Sequence, residues 1–119
     1  MLNKRIKITG MEMTPSIEEY VHKKVDVLTK FIDSDTEALA EIEIGRTTHH
    51  HHKGDVYKAE INLTIGKRIF RADVAESDLY TAIDVMKDRI AQEVSTQKDK
   101  DMSLMKKGQT KVKDLLKRG

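Results

Sequence analysis

Residues 57–75 constrain the fold more than any other stretch. Tyr57, Ala59, Ile61, Leu63 and Ile65 alternate with Lys58, Glu60, Asn62 and Thr64. A period of two places the apolar side chains on one face of a strand and the polar ones on the other. Gly66-Lys67 then supplies a tight turn, and Arg68 to about Ala75 repeats the pattern with Phe70, Ala72 and Val74 inward. A hairpin with one apolar face is not stable alone, so other elements must cover it.

The rest of the chain provides that cover. Ile6 and Ile8 alternate with Arg5, Lys7 and Thr9 in a first strand over residues 4–9, and Gly10 ends it. Thr14-Pro15 is a helix start, a capping hydroxyl followed by proline at the first helical position, with Glu18 and Glu19 near the positive end of the helix dipole. Ile17, Val21, Val25, Leu28 and Ile32 form one stripe, widened by Tyr20 and Phe31, which predicts a helix from Pro15 to about Ile32. Asp33-Ser34-Asp35 is a loop. A strand over about 38–47 turns Ala40, Ile42 and Ile44 inward and Glu41 and Glu43 outward, and a polar loop, 48–55, leads to the hairpin. The last helix opens near Ser77-Asp78 along Leu79, Ala82, Ile83, Met86, Ile90 and Val94. Its apolar face fades after Val94. Gly108 is expected to break it, leaving residues 110–118 as a short helix that is marginal alone.

The order β-α-β-β-β-α with one apolar face per element predicts an α+β fold. Two helices pack on one face of a four-stranded sheet, resembling a double-stranded RNA-binding domain. With 119 residues the chain is expected to hold one domain, about 1–100, followed by a basic tail, 101–119.

Charge narrows the partners. The formal net charge is +2, yet residues 98–119 carry eight Lys or Arg against three Asp, a net +5 at that end. A basic end on a near-neutral body suits an anionic partner, nucleic acid first; a solvated, disordered end is the competing reading. With no cysteine there are no disulfides and no thiolate metal sites. No apolar run has membrane-spanning length and no secretory signal is evident, so a cytoplasmic protein without membrane contact is expected.

Nothing in the pattern supports an enzyme. Ser16, Ser34, Ser77, Ser95 and Ser103 fall at helix starts, in loops or on the late helix, and no activating base and orienting acid accompany them. The six glycines are scattered and form no phosphate loop. Glu41 and Glu43 share a strand face, which ordinary polar alternation explains better than paired catalytic carboxylates. His49-His50-His51-His52 offers metal-ligand chemistry, but adjacent residues of an extended segment point to opposite sides. An exposed loop, able to touch RNA, is the simpler reading. No cofactor, metal or small-molecule substrate is therefore expected.

Basic residues on the helices are the remaining candidates: Lys23, Lys24 and Lys30 on the first, Lys87 and Arg89 on the second. Side by side, the helices would let these charges frame a groove that tracks phosphates. The bland alternative is a salt-bridged surface, since Glu19 and Asp26 precede Lys23 and Lys30 by four residues. On spacing alone the alternative is slightly favoured.

Four stretches carry a family resemblance: Ile6-Lys7-Ile8-Thr9-Gly10 with Met13-Thr14-Pro15; Leu28-Thr29-Lys30-Phe31; His49 to His52 with Lys53-Gly54-Asp55-Val56-Tyr57 and Ala59-Glu60-Ile61-Asn62-Leu63; and Asp78-Leu79-Tyr80-Thr81-Ala82-Ile83-Asp84. In their order and spacing the chain resembles the ribosome hibernation-promoting factor and ribosome-associated translation inhibitor family, also called ribosomal subunit interface or sigma-54 modulation proteins. The resemblance covers about residues 4–100.

It implies the β-α-β-β-β-α fold and a non-enzymatic translation inhibitor that acts in stationary phase and the stress response, keeping idle ribosomes inactive. Such a protein binds ribosomal RNA of the small ribosomal subunit, between head and body, where messenger and transfer RNA would lie. It implies RNA-binding roles for Lys24, Lys30 and Arg89, and for Lys98 and Lys100, with Lys23, Lys87 and the basic tail as supplements. Val27, Gln92 and Thr96 stand where members often place Lys or Arg. The chain resembles a short form, which either assists a separate ribosome-pairing factor or holds single ribosomes inactive. Two other readings fit the bare pattern: a free duplex-RNA-binding module, and a protein interaction domain using the open sheet face or the tail.

Overall fold

The computed structural model describes residues 1–47, 54 and 56–118, with side chains described up to Leu104. Strand β1 (Leu2–Thr9) leads into helix α1 (Pro15–Asp26) and a 3-10 turn (Val27–Phe31). Strands β2 (Ala38–Thr47), β3 (Val56–Ile65) and β4 (Arg68–Glu76) follow, and helix α2 (Leu79–Arg118) closes the chain. The sheet order is β1-β2-β3-β4. β1 and β2 are parallel, joined across α1, and the other pairs are antiparallel. The expected architecture is the observed one.

Register decides which face each strand buries. Ile6 lies beside Ile42, and Ile42 opposite Ile61, which in turn faces Ala72. These residues form one apolar row under the helices. Val21, Val25 and Leu28 from the first helical segment and Ala82, Ile83, Met86 and Ile90 from α2 close over it, all buried. Gly10 and Gly45 permit a close approach between the ends of β1 and β2. A Cβ at Gly10 would lie 2.1 Å from the Arg46 carbonyl oxygen, and one at Gly45 would lie 1.9 Å from that of Thr9.

Local chemistry starts both helices. The Thr14 hydroxyl accepts from the Ile17 N–H at 3.2 Å, with Pro15 next in the chain. The Asp78 carboxylate accepts from the Thr81 N–H at 2.9 Å and from its hydroxyl at 3.0 Å.

Two expectations change. The first helix is α-helical only to Asp26 and then tightens into the 3-10 turn. Residues three apart eclipse in that geometry, so Leu28 and Phe31 project to the same side, toward the end of the core. Gly108 does not break α2, which runs through it to Arg118. A helical glycine costs only about 1 kcal/mol relative to alanine, and Lys, Gln, Met and Leu around it are strong helix formers.

Candidate nucleic-acid interface

β4 leads α2 back along the sheet in the same direction as α1, so the two helices lie parallel and share a seam. Tyr20 and Lys24 of α1 meet Asp84 of α2 across it. The Tyr20 hydroxyl donates to Asp84 at 2.5 Å, and the Lys24 ammonium lies 3.3 Å from the same carboxylate. Lys24 also sits 5.3 Å from the Tyr20 ring centre, and Tyr80 packs edge-on against that ring at 4.8 Å.

This cluster shifts two ionisations. The hydrogen bond to Asp84, then partial burial and the Asp84 charge, push the Tyr20 phenol up to about 12. Burial is the largest single influence on Asp84 and works against its charge, but hydrogen bonds from Tyr20 and Lys24, helped by the charges of Lys24 and Lys87, outweigh it. The carboxyl is held below its usual value.

The seven predicted residues separate into groups. Lys24 and Lys87 flank the seam, with Lys87 turned onto its neighbour Asp88 at 2.5 Å. Arg89 is two residues further along α2, about 200° around the helix. Its guanidinium donates to the Asp73 carbonyl of β4 at 3.2 Å, on the flank away from α1. Lys87 and Arg89 thus do not face one groove. Lys23, Lys30, Lys98 and Lys100 are exposed and make no ion pair among the described residues.

The expected local pairing is also revised. Asp26 binds Lys4 of β1 at 2.5 Å, not Lys30. The reason is geometric: Lys4 lies on the helix side of the edge strand, and the 3-10 turn rotates Lys30 off the position four residues on. Lys30 instead caps the Phe31 ring, 5.2 Å from its centre.

Phe31, the neighbour of Lys30 in the chain, and Lys98 border one cavity. With them Asp33, Thr36, Ile65, Arg68, Phe70, Val94, Gln97 and Asp101 line its volume of about 120 Å³. On the other side of α2, Lys100 borders a hollow with Phe70, Gln92 and Thr96. Val27, Gln92 and Thr96, where the resemblance would place cations, are all exposed. Sequence reading missed Asp84 and Tyr80 as partners across the seam, and missed Phe31, Phe70 and Arg68 as cavity residues. Capping and hairpin signals mark their local positions, but no local signal pairs residues so far apart in the chain. The His49–His52 loop lies outside the described residues. Among the described residues no group of His, Cys, Asp and Glu could hold a metal ion, and no helix is long and apolar enough to cross a membrane.

The model of the family described as "Sigma 54 modulation protein / S30EA ribosomal protein" matches residues 5–102. The chain belongs to this family. It is 26% identical to a ribosome hibernation promoting factor of Klebsiella oxytoca over 98 residues, 81% of this chain and 95% of that protein. It is 21% identical to the ribosome hibernation promotion factor of Bacillus subtilis over 99 residues, 83% of this chain. The chain spans about half the length of that relative (50%) and of one from Picosynechococcus (56%). Among solved structures it is similar to the N-terminal domain of Thermus thermophilus Protein Y. That likeness has a TM-score of 0.64 and 27% identity, over 78% of this chain and 93% of the other.

Proposed function

We propose that this family member binds the small ribosomal subunit in the channel for messenger and transfer RNA and holds idle ribosomes inactive. The observation that carries this reading is the family match over residues 5–102, together with relatives named as hibernation promotion factors. The charge layout supports it. Lys23, Lys30, Lys98 and Lys100 are free of carboxylate partners among the described residues, so phosphate binding breaks no existing ion pair. Lys24 and Lys87 join by exchanging their carboxylates for phosphate, and Arg89 adds a contact on the β4 side. The basic residues after Asp101 add long-range attraction. The mechanism is occupancy: a rigid wedge of sheet and helices excludes the other RNAs, with no bond made or broken. Shape and charge dominate, because RNA helices present backbone and a shallow groove. The protein works in the cytoplasm, where its ribosomes are.

Sedimentation with purified small subunits tests this. The protein is expected to pellet with the subunits and to be displaced by messenger RNA plus initiator transfer RNA. Co-pelleting that those RNAs leave untouched would refute the channel site. The triple variant Lys24→Glu, Lys30→Glu, Arg89→Glu is expected to stay folded and remain in the supernatant.

A further inference from the structure

We infer that the cavity between the 3-10 turn, the β3–β4 hairpin and α2 is a pocket for one unpaired base of ribosomal RNA. This rests on the ribosome-binding reading above and adds a specific subsite to it.

The cavity is lined by both apolar and polar side chains. Phe31 and Phe70 contribute aromatic faces, and Ile65 and Val94 help line the interior. One face of the Phe31 ring is already capped by the Lys30 ammonium at 5.2 Å. A second planar group on the ring would sit beside a fixed positive charge, where a phosphate can follow it. The volume of about 120 Å³ has room for one ring system and its substituents. Lys98 lies at the rim and makes no ion pair among the described residues. Asp33, also lining the cavity, offers an acceptor to an exocyclic amino group.

The wall on the α2 side is braced. Arg68 binds Asp101 through two nitrogens, at 2.9 and 3.1 Å, and Gln97 donates to the same carboxylate at 3.1 Å. This fork joins the hairpin to α2 just past Val94, the last buried residue among those whose side chains are described. It also neutralises Asp101, one of the two carboxylates lining the cavity; the other, Asp33, makes no ion pair among the described residues.

Aromatic faces beside free ammonium groups suit a base better than an apolar protein side chain. A leucine from a protein partner would gain nothing from Lys30 and Lys98, and a phenylalanine only a cation–π contact, whereas a nucleotide uses ring, phosphate and ammonium together. A base held in a duplex cannot reach the pocket, so the target is a single-stranded loop, bulge or end.

The test uses the full chain and a seven-nucleotide single-stranded RNA with 2-aminopurine at its centre. Binding is expected to quench the probe fluorescence at least twofold and to saturate. The same strand in a duplex, or with an abasic centre, is expected to bind about tenfold more weakly. Phe31→Leu keeps the apolar volume and removes the stacking face, so it is expected to lose about tenfold in affinity. Phe70→Leu acts likewise, with cooperative thermal unfolding checked by circular dichroism. Lys98→Glu, on an exposed residue that cannot disturb the core, is expected to weaken binding at least fivefold.

Ultraviolet crosslinking of the wild type to intact small subunits is expected to join Phe31 or Phe70 to a ribosomal nucleotide; adducts confined to other residues overturn the assignment. Equal affinity for the abasic strand, or wild-type binding by Phe31→Leu, overturns it as well. The two readings fail separately. A protein that pellets with subunits but does not quench the probe lacks the pocket and keeps the ribosomal site. One that quenches but does not pellet keeps the pocket and loses the ribosomal site.

Discussion

On the open face of the sheet, Arg5, Lys7, Lys58 and Arg71 stand among Glu41, Glu43, Glu60 and Asp73. Opposite charges meet at Arg5 beside Glu41 and Lys7 beside Glu43, while Glu43, Glu60 and Asp73 stand in one row. Lys58 donates to Glu43 at 3.1 Å, and that hydrogen bond, with the charges of Lys58 and Lys7, holds the Glu43 carboxyl below its usual value. The helix side is organised differently. Glu18, Glu19, Asp78, Asp84 and Asp88 lie toward the starts of the helices, and Lys30, Lys98 and Lys100 lie further along them, with Glu93, Asp99 and Asp101 nearby but without ion pairs to them among the described residues. From Asp78 to Lys98 is about 30 Å at 1.5 Å per residue, nearly four times the screening length of about 8 Å at physiological salt. Paired charges cancel within that length, while unpaired ones do not. The helix side therefore attracts anions through ammonium groups that make no ion pair among the described residues, although it carries acidic residues too, and pairing matters more than net charge.

Five variants break or sharpen this contrast. Leu63 is fully buried beneath the helices, and Leu63→Ala is expected to cost about 2–5 kcal/mol in urea denaturation. A smaller loss would mean that the helices do not seal that face. Next in size, Lys30→Glu with Lys98→Glu is expected to weaken small-subunit binding at least tenfold. It should also flatten the dependence on salt, since the slope falls by roughly 0.7–0.9 for each phosphate no longer neutralised. Arg5→Glu with Arg71→Glu on the open face is expected to change affinity less than twofold. Equal effects from the two pairs would erase the distinction between the faces.

Tyr20→Phe removes the hydroxyl that binds Asp84 and is expected to cost about 1 kcal/mol near neutral pH. Because the folded-state pKa of Tyr20 is raised to about 12, its contribution is complete below the unfolded value near 10 and is lost as pH rises through about 12. Denaturation at pH 9 and pH 11.5 checks this, and the variant should show less of that alkaline loss. Ile69 is 62% exposed on the open face, so Ile69→Ser is expected to move stability by no more than about 0.5 kcal/mol. A larger change would mean that something covers the open face.

Much of the fold was legible because its signals are local. Alternation in residues 57–65 reports which side of β3 is apolar, whatever lies beyond it. Thr14-Pro15 and Asp78 start helices with groups only a few residues away. Where helical preference was finely balanced the reading failed. The first helix tightens at Val27, and α2 continues through Gly108, because differences of about 1 kcal/mol per residue decide such boundaries.

The candidate interface was legible as a set of residue types and not as a surface. By itself the amino-acid sequence determined the strands, the helix starts and which face of each element is apolar, since these depend on neighbours along the chain. Tertiary structure alone decided that Asp26 takes Lys4, that Arg89 turns to Asp73, and that Phe31, Phe70 and Lys98 share a cavity. Those meetings depend on strand register and on the rotation of α2 as Ile83, Met86 and Ile90 pack onto the sheet. Packing couples residues many positions apart, and no short-range pattern encodes that coupling.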